Sequence, residues 1–273
     1  MKKFEGILLC TDLDGTLLNS ERKVSEENRR AIDYFKSQGG LFTFITGRMP
    51  FFSQKIYEEV QPNAPYGCIN GGGIYDPREG KYLYTRELSL SAMELVRYAD
   101  ERLENIGVQI NHFDKIYFCR GNEAMANFKK ATGVPFLTRT FDEICEPIAK
   151  IIFGSTEEDL MLKIEKLLLS HPRANEFDFV RSEPTLFEIL PKHTNKGALF
   201  PHFERLLGIK REKIIAVGDY YNDIGMVREA GLGIAVANAA PALKEIADLV
   251  TVSNNEHALA KIIEDLDSGA IRL

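Results

Sequence analysis

The chain has 273 residues, of which 44% are hydrophobic and 27% are charged, enough apolar material for a sizeable core. No apolar run reaches the ~18 residues that cross a bilayer. Residues 7–10 are also too short for the apolar segment of a signal peptide, so we expect a cytoplasmic protein without a membrane partner. A net charge of −6 without a long basic run argues against nucleic acid as a partner.

The first and last parts of the chain alternate short apolar runs with helical patterns, which is typical of parallel βαβ units. We expect Ser25 to cap a helix that stops before the two glycines at 39–40, and a second helix over residues 51–60. Pro201 lies six positions after Asn195, so the helix there should be kinked or have a short first segment. The predicted strands of these parts are residues 7–10, 41–45, 66–69, 214–217, 233–236 and 249–252.

The middle of the chain, from about residue 81 to residue 190, has a different pattern. Its predicted strands are more aromatic and more strictly alternating, as in residues 115–120 and 177–181. Two helices are well marked by capping-box patterns: one is predicted to begin at residues 91–94 (Ser-Ala-Met-Glu), and the other is predicted to follow residues 155–158 (Ser-Thr-Glu-Glu). At ~150 residues per domain the length favours two domains, so we expect a smaller α+β module inserted into a parallel α/β domain.

Polar motifs follow three of the predicted strands, at the point where each strand ends. The first strand is followed by Asp-Leu-Asp-Gly-Thr at residues 12–16, and the second by Thr-Gly-Arg at residues 46–48. The strand at 214–217 is followed by Gly-Asp-Tyr-Tyr-Asn-Asp at residues 218–223. Ligands bind outside the carboxyl ends of parallel strands in open sheets. We therefore expect these three motifs, far apart in the sequence, to converge on one site.

Three aspartates of these motifs make the predicted site acidic. Asp12 and Asp14 are two positions apart, so their side chains point the same way from an extended segment, and Asp219 adds a third carboxylate. Neighbouring carboxylates repel each other unless a cation neutralises them. Oxygen ligands without clustered His or Cys favour Mg²⁺, the usual ion beside phosphates. A solvated acidic turn is the alternative for residues 12–15 taken alone.

Other metal and nucleotide motifs fail on spacing. A calcium-binding loop that began at Asp12 would need Gly and Glu where the chain has Leu17 and Lys23. A dinucleotide-binding loop at residues 71–73 would need Gly where the chain has Asp76. The sequence contains no Gly-x-x-x-x-Gly-Lys-Ser/Thr phosphate loop and no His-Glu-x-x-His zinc motif. Its four cysteines are scattered, without a Cys-x-x-Cys pair, so we expect free thiols.

The motifs, in this order, resemble those of the haloacid dehalogenase (HAD) superfamily of phosphotransferases. Two further segments resemble its Cof-type, sugar-phosphatase-like branch, namely Ile-Asn-Gly-Gly at residues 69–72 and Asn-Lys-Gly at residues 195–197. The resemblance covers essentially the whole chain and implies a Rossmann-like α/β core with a parallel sheet and an inserted α+β cap domain. One departure is Ala237, where the branch usually has glycine. The positions that match the four HAD motifs are residues 12–16, Thr46, Lys196 and residues 218–223.

The resemblance implies a phosphatase and assigns catalytic roles to its residues. Asp12 would be the nucleophile that accepts the phosphoryl group, and Asp14 would be the general acid and then the general base. Mg²⁺ would be bound by Asp12, the backbone carbonyl of Asp14, and Asp219. Lys196 would balance the negative charge shared by Asp12 and the phosphate. Dehalogenase-type members lack the second aspartate, so Asp14 marks this chain as a phosphatase or a mutase.

The same resemblance implies a set of phosphate-binding residues. Thr46 and Asn222 would donate hydrogen bonds to the transferring phosphate, with Lys196 beside them. The main chain near Leu13 and Gly47 would contribute further donors. Asp223 would act from behind these groups, by orienting Lys196 or the waters of the metal.

The resemblance also predicts a discontinuous core domain and a mobile cap. The core would comprise residues 1–81 and 190–273, and the cap would comprise residues 82–189. A cap of this kind closes over the site, excludes water and carries contacts that determine specificity.

The favoured function is hydrolysis of small phosphate monoesters, such as sugar phosphates, flavin mononucleotide (FMN) or pyridoxal phosphate (PLP). Two alternatives remain open: a phosphotransferase or phosphomutase on the same fold, and a non-catalytic regulator that binds a phosphorylated metabolite. Loss of Asp12, Asp14, Lys196 or Asp219 would favour the regulator, and all four are present. We expect a small phosphorylated metabolite as partner and, by default, a monomer.

Overall fold

The computed structural model describes residues 2–133, 135, 137–145 and 147–273, which form two compact units. The core unit comprises the residues up to Tyr84 together with Asn195–Leu273, and the inserted unit comprises Thr85–Thr194. The domain boundaries predicted from the sequence, after residue 81 and before residue 190, fall inside two strands, Lys81–Thr85 and Leu186–Pro191. Within the described ranges, no helix combines the length and the apolar character that crossing a membrane requires.

The first part of the core unit alternates strands and helices, as its apolar pattern predicts. Ser25 accepts a hydrogen bond from the backbone N–H of Asn28 (3.2 Å), which confirms the predicted helix cap. Pro50 is the first residue of the second helix, where a missing N–H costs no hydrogen bond. The elements are β1 (Leu8–Thr11), α1 (Glu26–Ser37), β2 (Leu41–Phe44), α2 (Pro50–Val60), β3 (Tyr66–Cys68), β4 (Gly73–Asp76) and β5 (Lys81–Thr85).

The inserted unit is the α+β module that the sequence predicts. Its elements are α3 (Ala92–Asp100), β6 (Gly107–Asn111), β7 (Ile116–Arg120), α4 (Glu123–Thr132), β8 (Leu137–Thr138), β9 (Lys150–Gly154), α5 (Glu158–Leu169), β10 (Phe177–Glu183) and β11 (Leu186–Pro191). The strands form a largely antiparallel sheet in the order β10-β11-β9-β6-β7-β8. Val96 of α3 and Ile164 of α5 belong to one buried apolar cluster with strand residues such as Ile110, Ile151 and Ile189. These two helices therefore cover the apolar face of the sheet.

Neither capping box predicted for the inserted unit forms. Ser91 has helical backbone angles and its side chain makes no capping hydrogen bond, so α3 begins at Ala92 without a side-chain cap. The Ser155 hydroxyl instead accepts from the backbone N–H of Glu157 (3.0 Å), and α5 begins only at Glu158. Both helices are present where the patterns predict them, but their side-chain caps are not formed. Serine hydroxyls bond neighbouring backbone groups in turns as readily as at helix starts.

The rest of the core unit completes a parallel sheet. Its elements are α6 (Phe200–Leu207), β12 (Ile214–Gly218), α7 (Ile224–Glu229), β13 (Leu232–Ala235), α8 (Pro241–Lys244), β14 (Leu249–Val250) and α9 (Ala258–Ser268). The strand order is β14-β13-β12-β1-β2, and every neighbouring pair in this sheet is parallel. All residues of β1 and β12 are buried, as expected for central strands of a sheet covered on both faces.

The segment before α6 confirms the prediction made from Pro201. A short 3₁₀ turn, Lys196–Leu199, precedes α6, and Pro201 lies in the first turn of that helix. Proline removes a backbone donor, so a continuous helix from residue 195 onward would lose a hydrogen bond. The separate turn keeps Lys196 buried at the start of the segment.

We expect Ser25→Ala to lower the free energy of unfolding by about 1 kcal/mol, because it removes the cap of α1. Ser91→Ala is the matched control and should change it by less than about 0.5 kcal/mol, because its hydroxyl caps no helix. Urea unfolding followed by circular dichroism measures both. Equal losses in the two variants would contradict the assignment of the caps.

Candidate active site

The sheet topology brings the three strand-end motifs together. Strand β1 lies between β12 and β2, and all three strands are parallel. Residues 12–16 follow β1, Thr46 follows β2, and Asp219 follows β12 directly. The hydroxyl of Thr16 donates to Oδ1 of Asp219 (2.9 Å), across 203 residues of sequence. The two acidic motifs are therefore in direct contact at the carboxyl edge of the sheet.

Lys196 is the buried centre of this region. Its Nζ lies 2.5 Å from Oδ1 of Asp12 and 2.5 Å from Oδ1 of Asp223, and its side chain is fully buried. Asn195 fixes the start of the turn that carries Lys196 by accepting a hydrogen bond from the N–H of Ala198 (3.0 Å). A buried ammonium is stable only when it is paired and hydrogen-bonded.

The two aspartates keep Lys196 charged. Burial alone would lower the pKa of Lys196, but the charges of Asp12 and Asp223 and their hydrogen bonds raise it above its ordinary value. The side chain therefore carries a positive charge throughout the physiological pH range.

Asp223 has both carboxylate oxygens engaged. While Oδ1 contacts Lys196, Oδ2 accepts from the backbone N–H groups of Asp219 (2.8 Å) and Tyr220 (3.0 Å). The side chain thus closes the loop after β12 onto Lys196. This geometry fixes the position of Asp219 relative to the ammonium.

Asp12, Asp219 and Asp223 form an oxygen-rich cluster that could bind a metal ion. One carboxylate oxygen from each lies within 4.8 Å of the others. Gly15 has a φ of +78°, and a Cβ at this position would overlap the Asp219 carboxylate, so glycine permits the close approach of the two motifs. Of the predicted ligand set, the structure places the carboxylates of Asp12 and Asp219 together.

The cluster carries more negative than positive charge. Three carboxylates lie around one ammonium, which leaves an excess of two negative charges when all of them are ionised. Burial raises the pKa of Asp12 well above its ordinary value, against the opposing charge of Lys196. Burial, followed by the charge of Asp223, raises the pKa of Asp219 to about 7. A divalent cation at the cluster would relieve this repulsion.

The carboxylate of Asp14 is turned toward Arg48, a residue to which the sequence reasoning gave no role. Arg48 donates from Nε to Oδ2 (2.8 Å) and from Nη2 to Oδ1 (2.6 Å), a two-pronged ion pair. The guanidinium also donates to the backbone carbonyl of Phe52 (3.3 Å), at the start of α2. Its position two residues after Thr46, at the same sheet edge, was the available signal.

The predicted phosphate-binding residues lie on the loops around this cluster. Thr46 is buried, and its hydroxyl accepts from the N–H of Arg48 (3.2 Å), while Leu13 is buried directly after Asp12. Asn222 lies in the turn Tyr221–Asp223 and donates from Nδ2 to Oδ1 of Asn70 (3.0 Å). Asn70 also donates its N–H to the carbonyl of Thr46 (3.1 Å). The loops after β2 and β12 are therefore linked through a residue that had no predicted role.

A second unpredicted asparagine supports the loop after β1. Asn238 donates from Nδ2 to the carbonyl of Gly15 (2.8 Å) and accepts from the N–H of Asn254 (2.9 Å). The replacement of the usual glycine by Ala237 beside it leaves these contacts in place. A polar residue after the β13 strand was the available signal.

Comparison with known proteins relates this arrangement to one family. The sequence profile of the haloacid dehalogenase-like hydrolases matches residues 9–263. The chain is 31% identical over 261 residues to 5-amino-6-(5-phospho-D-ribitylamino)uracil phosphatase YcsE of Bacillus subtilis (strain 168), covering 94% of each chain. It is 29% identical to phosphatase YwpJ of the same organism, covering 95% of this chain and 99% of YwpJ.

Solved structures agree with this relationship. A haloacid dehalogenase-like hydrolase from B. subtilis superposes with a TM-score of 0.80 at 28% identity, covering 97% of this chain and 99% of the other. The HAD subclass IIB sugar phosphatase BT4131 has a TM-score of 0.84 at 22% identity, covering 97% and 100%, and shows that the fold is shared. The chain belongs to the haloacid dehalogenase-like hydrolases and is a phosphatase of their Cof-type branch.

Proposed function

We propose that the protein is a Mg²⁺-dependent phosphatase that hydrolyses small phosphate monoesters through an aspartyl-phosphate intermediate on Asp12. The observation that carries this proposal is the buried Lys196 ammonium, held between Asp12 and Asp223 and beside Asp219. This arrangement holds one carboxylate of the site in a fixed position and leaves an excess of negative charge for a cation. Both features serve phosphoryl transfer.

The donor set fits Mg²⁺. The candidate ligands are oxygen atoms only, and the excess of two negative charges matches a divalent ion. Asp12, Asp219 and the backbone carbonyl of Asp14 would hold the ion. When bound, it would neutralise charge on the transferring phosphate and help to orient it.

Asp12 supplies the nucleophile. In the first step an oxygen of Asp12 forms a bond to phosphorus as the bond from phosphorus to the leaving oxygen breaks. Lys196 balances the negative charge as it spreads over Asp12 and the phosphoryl group. Thr46 and Asn222, with the main-chain N–H groups near Leu13 and Gly47, donate hydrogen bonds to the phosphoryl oxygens.

Asp14 supplies the proton. It protonates the leaving oxygen in the first step, and in the second it takes a proton from the water that attacks phosphorus and releases Asp12. Because Arg48 engages both oxygens of Asp14, that carboxylate must first leave the guanidinium. Asp223 orients Lys196 from behind.

The substrate is proposed to be a hydroxyl-rich metabolite such as a sugar or polyol phosphate. The names of YcsE and BT4131 state a phosphoribitylamino compound and a sugar phosphate as their substrates. In the inserted unit, Lys150 and Glu188 form a buried ion pair (2.9 Å). Gln109 donates to Asn111 (2.8 Å), and its Oε1 has no hydrogen-bond partner among the described residues. A buried acceptor without a partner, such as this oxygen, suits a ligand hydroxyl group.

The proposal extends to the inserted unit, which acts as the cap that selects the leaving group. The protein works in the cytoplasm as a monomer, and its substrate is a small phosphorylated metabolite. FMN and pyridoxal phosphate are candidate substrates as well. Transfer of the phosphoryl group to a second sugar hydroxyl would indicate a phosphomutase. Failure to turn over any phosphate ester would indicate a regulator that binds a phosphorylated metabolite.

We expect hydrolysis of an aryl phosphate to stop after exhaustive chelation and to return with Mg²⁺. Ca²⁺ should restore little, since it favours more ligands at longer distances. The release of nitrophenolate measures both. Full activity after chelation would contradict the metal requirement.

The stabilising effect of Mg²⁺ should increase with pH. Because the pKa of Asp219 is about 7 in the folded protein, against about 4 when unfolded, the folded state keeps a proton between these values. That contribution to stability is fully present below the unfolded pKa and is lost as pH rises through about 7. Mg²⁺ binds the charged carboxylate, so its shift of Tm should be larger at about pH 8 than at about pH 6. Asp219→Asn should reduce the difference between the two pH values, and an equal shift of Tm at both pH values in the wild type would contradict this expectation.

Variants of Asp12 and Asp14 test separately the proposed nucleophile and the proposed general acid. Asp12→Asn should abolish turnover of every substrate, because no aspartyl phosphate can form. Asp14→Asn should slow phosphoryl transfer from a sugar phosphate by roughly a hundred- to ten-thousandfold, but it should spare nitrophenyl phosphate, whose leaving group needs no proton. Single-turnover measurements should then show a burst of nitrophenol with trapped phosphoenzyme. Asp33→Asn, on an exposed face of α1, is the control and should keep wild-type turnover. Wild-type turnover by Asp12→Asn would indicate that water attacks phosphorus directly.

Exchange of the inserted unit tests its proposed role in specificity. Residues 85–194 grafted into the core of a related phosphatase should transfer the order of preference among phosphate esters. The reciprocal graft is the control, and kcat/KM values for a panel of phosphorylated metabolites are the readout. Preferences that stay with the core unit would contradict the assignment.

A further inference from the structure

Three consecutive residues after β3 have left-handed backbone angles. The φ angles are +57° at Ile69, +52° at Asn70 and +101° at Gly71, and all three residues are buried. This region is rare for residues other than glycine and especially unfavourable for a β-branched residue such as isoleucine. Backbone strain of this kind persists where surrounding contacts impose it, and it concentrates at functional sites.

The contacts that impose this conformation come from the proposed active site. Ile69 donates its N–H to the carbonyl of Arg48 (3.1 Å), and Asn70 donates its N–H to the carbonyl of Thr46 (3.1 Å). At Gly71, a Cβ would overlap the carbonyl of Asn195, the residue before Lys196. The left-handed segment therefore touches the loop after β2 and the start of the turn that carries Lys196.

The side chain of Asn70 reaches two predicted phosphate-binding residues. Its Oδ1 accepts from Nδ2 of Asn222 (3.0 Å), and its amide lies directly against Gly47. A Cβ at Gly47 would be 2.8 Å from Oδ1 and 3.0 Å from Nδ2 of Asn70. The Asn70 residue is 1% exposed, so this packing is enclosed.

The hydrogen bond to Asn70 determines which end of the Asn222 amide faces the site. A primary amide has two N–H groups on one end and an acceptor oxygen on the other. Oδ1 of Asn70 accepts a hydrogen bond from Nδ2 of Asn222. The nitrogen of the Asn222 amide therefore points toward Asn70. One N–H is used there, and the second remains on the same nitrogen for a phosphoryl oxygen. With the amide reversed, an oxygen would meet the phosphate and repel it.

We propose that Asn70 is a positioning residue of the phosphate site, which fixes the Asn222 amide for binding of a phosphoryl group. This inference rests on the proposed function. It explains why an unfavourable backbone conformation is retained: the left-handed turn aims the Asn70 side chain back between the loops after β2 and β12.

The test uses Asn70→Gly, which keeps the left-handed angles accessible and removes only the amide. Asn105→Gly is the matched control, since Asn105 is an exposed asparagine with a φ of +59°. We expect Asn70→Gly to lower kcat/KM for an aryl phosphate about tenfold and to weaken inhibition by inorganic phosphate about as much, the size of one hydrogen bond. The control should retain wild-type values, and Tm should stay within about 4 °C of the wild type in both.

A double-mutant cycle with Asn222→Ala separates positioning from folding. If Asn70 acts through Asn222, then Asn70→Gly should change kcat/KM by less than about twofold in the Asn222→Ala background. If Asn70→Gly lowered kcat/KM about tenfold both in the wild type and in the Asn222→Ala background, the inference would be overturned. A wild-type kcat/KM in Asn70→Gly would overturn it as well. An inactive wild type would overturn the proposed function, and this inference with it.

Gly47→Ala provides a second route that leaves Asn70 in place. The added methyl group should displace the Asn70 amide, because the φ of Gly47 is accessible to alanine and the Asn70 side chain is what the methyl group meets. We expect a loss of kcat/KM similar to that of Asn70→Gly, and little further loss when the two changes are combined. Wild-type activity in Gly47→Ala, or additive losses in the pair, would contradict the proposal.

Discussion

The buried ammonium of Lys196 is the interaction on which the rest of the site depends. An unpaired charge at full burial would cost several kcal/mol, so Lys196 can occupy its position only with Asp12 and Asp223 beside it. The two aspartates depend on Lys196 in turn, because both carboxylates are buried and each has one oxygen in contact with the ammonium. Each of the three therefore holds the others, and through Oδ2 of Asp223 the ion pair extends to the backbone of Asp219. Three segments of the core unit are joined by this network: the loop after β1, the turn that carries Lys196 and the loop after β12.

The order of strands explains why the network can form at all. Residues 12, 196 and 223 are far apart in sequence, but β1 and β12 are neighbours with parallel register, so their carboxyl ends lie side by side. Lys196 enters this edge because its own turn is separated from α6, and Pro201 prevents the two from fusing into one straight helix. The fold thus supplies position, while short turns supply the orientation of individual side chains.

Much of this arrangement could be predicted from the sequence, for reasons that also explain the failures. The spacing of apolar residues is a local signal, and it predicted the parallel sheet. The polar motifs that follow the strands are local signals too, and they predicted the convergence of Asp12, Thr46 and Asp219. Arg48 and Asn70 lie in segments that the sequence singled out, but their contacts with Asp14 and Asn222 run between different loops, and a local pattern does not specify such partners. The pattern at residue 155 correctly predicted a helix but not its cap, because a serine hydroxyl can bond nearby backbone groups in several kinds of turn.

In the proposed function, the charge of the site would also determine the order in which the cation and the phosphate enter it. A phosphate dianion that arrived first would meet the excess negative charge of Asp12, Asp219 and Asp223, at short range and in a buried setting where screening is weak. Lys196 offsets only one of these carboxylates and is already shared between two of them. A cation bound beforehand reverses the sign of this interaction. In the proposed mechanism, a cation would therefore have to occupy the cluster before the phosphate binds.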